Sequence, residues 1–420
     1  FGSRMSGVRI SLPRPLFNHF PRFIISSTQF PFVSAQTEWI AMIQAIINGP
    51  IFDGDSLRQH HAVLLDDGKI LSVVESNQVP PEVTDIYDLN GVMLIPGFID
   101  LQVNGGGGVL FNAAPTLDSL RAIGAAHRRF GTTGFLPTLI TDSYAVMRQG
   151  VDAVRQAIAG DVPGVLGIHL EGPFLNPQCR GAHDESKFCL LDEEGFEILT
   201  SLDCGKTLVT LAPELTTPEM ISRLARQGVI VSAGHSGASY EQTLEALNAG
   251  VSGFTHLYNA MTPLQSREPG MVGAAIDDDD SWFGIIADGH HMHPAAFRVA
   301  VAAKKNGRAL LVTDAMPTVG SPEKTFLLDG EPIVARDGRV MNAAGSLAGS
   351  DLNMLSAVNN ASIFARIDWL EAVRMASVYP ARALGLEGEI GAIRPGFRAN
   401  LLALDNQHRI CASWIDGIRA

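Results

Sequence analysis

The chain has 420 residues, 46% of them hydrophobic and 18% charged, enough for one large domain and a small one with a sizeable core. A formal net charge of -13 argues against nucleic acid or an anionic membrane as the main partner, so any anionic substrate must be held by local groups. No uninterrupted apolar run is long enough to cross a bilayer, and the scattered Cys179, Cys189, Cys204 and Cys411, without a Cys-x-x-Cys pair, fit a reducing, cytoplasmic setting.

Residues 1–41 carry Arg4, Arg9, Arg14 and Arg22 and no acid before Glu38. That composition suits a leader peptide or an appended extension, and the segment is expected to lie outside the fold. From residue 42 to 92 the pattern is short strands and tight turns. Ile43–Ile47 ends in Asn48-Gly49, His61–Leu65 ends in Asp66-Asp67-Gly68, and Ile70–Val74 follows, all hairpin signals. Residues 390–420 repeat the style, with Ala399–Asp405, Ile410–Ile415 and the turn Asp416-Gly417. The two ends are expected to build one small β-sandwich domain together.

Residues 93–389 alternate strands with helices. Candidate strands are Val92–Val103, Thr133–Leu139, Val165–Glu171, Leu208–Ala212, Val229–His235, Gly253–His256, Phe283–Ala287 and Leu310–Asp314. Helix signals lie between them: Ser239 with Gln242 is a capping box closed by Gly250, Thr217 precedes Pro218, and Pro294 opens a helix whose last turn is Lys304-Lys305-Asn306-Gly307. Eight such units predict an α/β fold of the (β/α)8 TIM-barrel type. A doubly wound open sheet is disfavoured, because Gly105-Gly106-Gly107-Gly108 is not followed by the helix of a dinucleotide-binding turn.

In such a barrel the C-terminal strand ends converge on one site. Glu171, His235, His256 and Asp314 all fall at predicted strand ends. One carboxylate and two imidazoles suit a divalent metal with an open position. Asp314, beside it, has the chemistry of a general base and then acid, taking a proton from water and returning it to a leaving group. The run Asp277–Asp280 lacks the alternation of a calcium loop and reads as a solvated turn.

Pro96-Gly97-Phe98-Ile99-Asp100, His169-Leu170-Glu171-Gly172-Pro173, Ser232-Ala233-Gly234-His235-Ser236, Thr255-His256-Leu257-Tyr258-Asn259-Ala260-Met261, Ala287-Asp288-Gly289 and Thr313-Asp314-Ala315 occur in this order. Together they resemble the N-acetylglucosamine-6-phosphate deacetylases of the amidohydrolase superfamily, from about residue 42 to the C-terminus. The resemblance implies hydrolysis of a 2-acetamido sugar 6-phosphate to acetate and the amino sugar phosphate. It implies one divalent ion per subunit on Glu171, His235 and His256, zinc first, with iron, cobalt or manganese as alternatives. It also implies that His183, next to Ala182, polarises the acetamido carbonyl, that Asn259, Ala260 and His291 contact the sugar phosphate, and that Leu347, Ala348 and Gly349 close over the sugar from a Gly-rich loop. Arg267 is implied to hold the phosphate in the neighbouring subunit's site, and hence a homodimer.

Many superfamily members carry His-x-His after the Pro-Gly-Phe-Ile-Asp stretch. Here Gln102 and Asn104 stand there, and the deacetylases it resembles share that form. Amides are poor ligands compared with imidazole, so a second metal position is expected to be weak or empty. No Lys ends the fourth strand to form a bridging carbamate. Two further enzymatic readings are the galactosamine epimer and a cyclic amide. A catalytically silent protein-binding member is disfavoured, since none of the four core positions has lost its acid or imidazole.

Overall fold

The computed structural model describes residues 43–420, so the expectation for residues 1–41 lies outside the described residues. Eight parallel strands form one sheet in chain order: β1 (Phe98–Val103), β2 (Thr132–Ile140), β3 (Gly167–Glu171), β4 (Lys206–Leu211), β5 (Ile230–Ala233), β6 (Val251–Phe254), β7 (Trp282–Ile286) and β8 (Ala309–Val312). The ring closes where Asp314 N–H donates to the Gln102 carbonyl at 3.0 Å and Val103 bridges Ala315 in parallel. This is the expected barrel. Its strands are apolar with little alternation because both faces are covered, the inner by opposing side chains and the outer by helices; β2, β3, β7 and β8 are buried along their whole length. Close approach requires glycine at Gly253, where a Cβ would fall 2.1 Å from the Trp282 indole.

The helix signals act as read. Ser239 and Gln242 form both halves of a capping box before Tyr240–Ala249, which Gly250 ends at φ +128°, and the Thr217 side chain accepts from Met220 N–H before Pro218–Arg226. Lys304 differs from expectation. Its helix, Pro294–Ala303, stops before the expected last turn, and Lys304 at the C-cap is buried and donates to the Ala275 and Asp278 carbonyls at the end of the neighbouring helix Gly270–Asp277.

Two further sheets come from the chain ends. One orders Lys69–Glu75, His61–Asp66, Gln44–Ile47 and Asp85–Asp88; the other orders Ile418–Arg419, Ile410–Ile415, Leu401–Leu404, Met93–Pro96, Ile51–Phe52 and Leu57–Arg58. Ile46, Val63, Leu65, Leu94, Leu401 and Trp414 share a core of their own, which makes the sandwich a joint product of both termini. Asn48-Gly49 is not a hairpin turn as expected: it passes the chain from the first sheet to the second. The expected strand Val92–Val103 is likewise two strands, broken at Gly97, with Met93–Pro96 in the sandwich and Phe98–Val103 in the barrel.

After β8 an antiparallel sheet of four strands rises over the barrel mouth: Thr325–Leu328, Glu331–Arg336, Arg339–Met341 and Leu347–Ser350. Its underside packs Leu328, Ile333, Val340 and Ala348 against Leu110, Ile140 and Met316. Among the described residues no helix is long and apolar enough to cross a membrane.

Asp100 lies fully buried in β1, accepting from Thr313 Oγ at 2.5 Å and from the backbone N–H groups of Thr313 and Gln102, both at 3.2 Å. Burial pushes its carboxyl up to about 7. The folded chain therefore keeps a proton that the unfolded chain has already released above pH ~4. Stability should fall as pH rises from there to about 7 and then level off. Asp100→Asn is expected to flatten this slope, worth on the order of 4 kcal/mol across the window. Urea unfolding at mildly acidic and mildly alkaline pH checks it, and an unchanged slope in the variant would remove Asp100 as its source.

Candidate active site

Glu171 is the last residue of β3 and its carboxylate is 2% exposed. His235, His256 and Asp314 were expected at strand ends. Each instead stands two residues beyond its strand, in the left-handed region, with φ of 48°, 33° and 52°. That conformation costs a residue with a side chain of the order of 1 kcal/mol or more, and His and Asp bear it better than branched residues do. It turns each side chain back over the barrel mouth toward Glu171.

There Glu171, His235 and His256 meet. Glu171 Oε1 is 3.0 Å from His256 Nε2 and 3.3 Å from His235 Nε2, and the two ring nitrogens are 3.1 Å apart. A tetrahedral cation with bonds of about 2.0–2.2 Å sets its ligand atoms about 3.3–3.6 Å apart. His235 Nδ1 donates to the Cys179 carbonyl at 2.8 Å, so in the neutral ring Nε2 carries a lone pair aimed at the carboxylate oxygen. That lone pair and the carboxylate repel each other unless a positive charge lies between them. The residues therefore fit a divalent ion, and among the described residues they are the one cluster of this kind. Although burial alone would raise Glu171, the His256 imidazole, with Nε2 3.0 Å from Oε1, holds its carboxyl well below the usual range.

Asp314 is 8% exposed. Its Oδ1 accepts from Asn104 Nδ2 at 2.6 Å and from Gln102 Nε2 at 3.2 Å. Burial, and then the nearby Glu171 carboxylate, push it up to about 6. Burial holds His183 neutral, pushing it down to about 3. Its Nδ1 lies 2.8 Å from Thr141 Oγ and accepts from Thr141 N–H at 3.4 Å, which assigns the ring proton to Nε2. His291 Nδ1 donates to Asp288 Oδ2 at 2.6 Å, while Asp288 Oδ1 accepts from the backbone N–H groups of His290 and His291 at 2.8 and 2.9 Å. Of these, Asn104, Glu171, His183, His235, His256, His291 and Asp314 line one cavity of about 260 Å³ with Asn259, Ala260, Ile140, Met316 and Leu328.

A family model described as the amidohydrolase family matches residues 93–417. The chain belongs to the amidohydrolase family. A model described as the NagA composite domain matches residues 44–94. An N-acetylgalactosamine-6-phosphate deacetylase of Shewanella sp. (strain ANA-3) is 44% identical, over 86% of this chain and 92% of its own length. A human N-acetylglucosamine-6-phosphate deacetylase is 38% identical, over 79% of this chain and 84% of its own. The crystal structure of the N-acetylglucosamine-6-phosphate deacetylase from Pasteurella multocida superposes with a TM-score of 0.87 at 33% identity, covering 90% of this chain and 99% of that one.

Within this amidohydrolase barrel the fold brings Glu171, Ala182, His183, His235, His256, Asn259, Ala260, His291, Asp314, Leu347 and Gly349 to the same cavity. Two expected residues are not brought there. Arg267 is exposed on the loop after β6 and does not line the cavity of its own chain. Ala348, between two lining residues, is 1% exposed and points into the apolar underside of the four-stranded sheet, because neighbours along a strand face opposite ways. Leu347–Gly349 is thus a strand rather than a Gly-rich loop. Residues that sequence reasoning passed over are Asp288, Thr141 and Glu214. Glu214 accepts from Asn176 Nδ2, Ser236 Oγ and Gly237 N–H at 2.9, 2.6 and 2.6 Å, tying the loop that presents the Cys179 carbonyl to the segment that carries His235. Only Asp288 left a local signal, an acid three residues before a histidine.

Proposed function

We propose that the chain hydrolyses the acetamido group of N-acetyl-D-glucosamine 6-phosphate, giving acetate and D-glucosamine 6-phosphate in amino-sugar breakdown. The observation that carries this reading is one cavity holding a carboxylate–imidazole–imidazole cradle with a separate buried acid beside it, in an amidohydrolase whose relatives are named for this chemistry. A divalent ion in the cradle, zinc in our reading, supplies Lewis-acid polarisation and lowers the pKa of water. His183, a neutral ring with its proton on Nε2, donates to the acetamido oxygen as negative charge develops there. Asp314 accepts a proton from the attacking water as the new C–O bond forms, then delivers it to the sugar nitrogen as the C–N bond breaks. His291, braced by Asp288, and the Asn259-Ala260 backbone hold the sugar phosphate, and Leu347–Gly349 cover the ring. Arg267, exposed and outside its own cavity, serves the neighbouring subunit of a homodimer. We read residues 42–92 with 390–420 as one unit, and 93–389 as the catalytic unit, of a cytoplasmic enzyme.

Thr141→Val removes the hydroxyl at His183 Nδ1 but keeps the backbone N–H, so turnover should fall about tenfold rather than the 10²–10³ of losing an oxyanion donor outright. Steady-state acetate release measures this, and an unchanged rate would detach Thr141 from the polarising ring.

The galactosamine epimer is a second reading, resting on the 44% identical Shewanella relative named for it. Acetate release from both epimeric 6-phosphates, measured side by side on metal-loaded protein, separates the two. Turnover of neither would overturn the proposal.

A further inference from the structure

Gln102 and Asn104 are 2% and 1% exposed, on the last turn of the pleat in β1 and just past it. Their amides face two carboxylates from distant parts of the chain. Gln102 Nε2 has two protons and two acceptors: Glu171 Oε2 at 3.1 Å and Asp314 Oδ1 at 3.2 Å. Asn104 Nδ2 reaches only Asp314 Oδ1, at 2.6 Å. Neither amide NH₂ hydrogen-bonds to His235 or His256.

The arrangement divides labour among the carboxylate oxygens. On Glu171, Oε2 is taken by Gln102, which leaves Oε1 to face both imidazoles. On Asp314, both amides converge on Oδ1, which leaves Oδ2 free of them. A carboxylate rotating about its last bond exchanges its two oxygens, and a bond on one oxygen of each group stops that rotation. The shared NH₂ also sets a positive dipole end between two like charges that burial would otherwise set against each other.

The geometry points to Gln102 and Asn104 as positioning residues: Gln102 couples the cation-holding carboxylate to the proton-carrying one, and Asn104 fixes which Asp314 oxygen moves the proton. This goes beyond reading the pair as the loss of a second metal position. It rests on the proposed hydrolysis for its kinetic arm, but not for its binding arm.

The two residues make different predictions because both bond Asp314 but only Gln102 also bonds the cation-holding Glu171. Gln102→Leu removes a partner of the metal ligand and should weaken zinc about 10–100-fold, the usual loss for a group that orients a ligand. Asn104→Leu should leave zinc affinity within about twofold while lowering kcat about 10–100-fold with KM little changed, since what is lost is the aim of the proton carrier. Zinc affinity is read by chelator competition on stripped protein with no substrate present, and kinetics by acetate release on zinc-saturated protein. Gln102→Met, which keeps side-chain length without the donor, and Asn104→Ala, which removes the donor without adding bulk, serve if either Leu variant fails to fold. Equal zinc weakening in both variants, or wild-type zinc affinity for the Gln102 variant, would overturn the assignment. So would wild-type kcat for the Asn104 variant. If wild type released acetate from neither epimer, the proposed substrate would fall, whereas the zinc measurements would still decide the Gln102 half.

Discussion

Asp314→Asn is expected to keep its divalent ion and to lose about 10³–10⁴ in turnover, the upper part of what a positioned proton carrier contributes. The change is nearly isosteric, and Asn tolerates the left-handed backbone at residue 314, so the loss cannot be assigned to a collapsed loop. No donor to the cation cradle is removed, because Asp314 is bonded to Gln102 and Asn104 and not to the two imidazoles. Elemental analysis beside acetate release checks both halves. Wild-type turnover would take Asp314 out of the proton path, and loss of the ion would make it a ligand instead.

The second large effect is expected at His256. His256→Asn removes one of the three converging donors while again keeping a residue that accepts positive φ. Metal content should fall well below one equivalent and turnover to background. The melting temperature should fall too, since a ligand present at about 100–1,000 times its Kd stabilises the folded chain by about 2.7–4.1 kcal/mol. Wild type stripped by a chelator should match the variant and recover on adding zinc, whereas the variant should not recover. A variant that binds and turns over like wild type would remove His256 from the cradle.

The sequence carried the barrel because period and breakers were strong. Apolar runs closed by Gly or Pro, alternating with capped helices, left few other architectures, and Glu171, His235, His256 and Asp314 stood out as polar groups ending apolar runs. What sequence could not carry was backbone direction. The left-handed turns at His235, His256 and Asp314 depend on the barrel rim, and no propensity distinguishes them from one more strand residue. The amide contacts of Gln102 span 69 residues to Glu171 and 212 to Asp314, so they exist only once the ring has closed. The four-stranded sheet over the mouth is a different case. Asp329-Gly330 and Asp337-Gly338 are turn signals of the same kind as Asp67-Gly68, and each joins two of its strands. Its exposed, mixed strands hid it: Glu331–Arg336 has a single fully buried residue.

The positive φ angles shared by His235, His256 and Asp314 bear on how this protein can change. At each of these positions Gly would relax the local chain and erase the chemistry in a single step. Selection for thermal robustness alone would thus push against catalysis at three points of the same rim, so hardier variants of this scaffold should gain their margin far from the mouth, in the helices and the terminal sandwich.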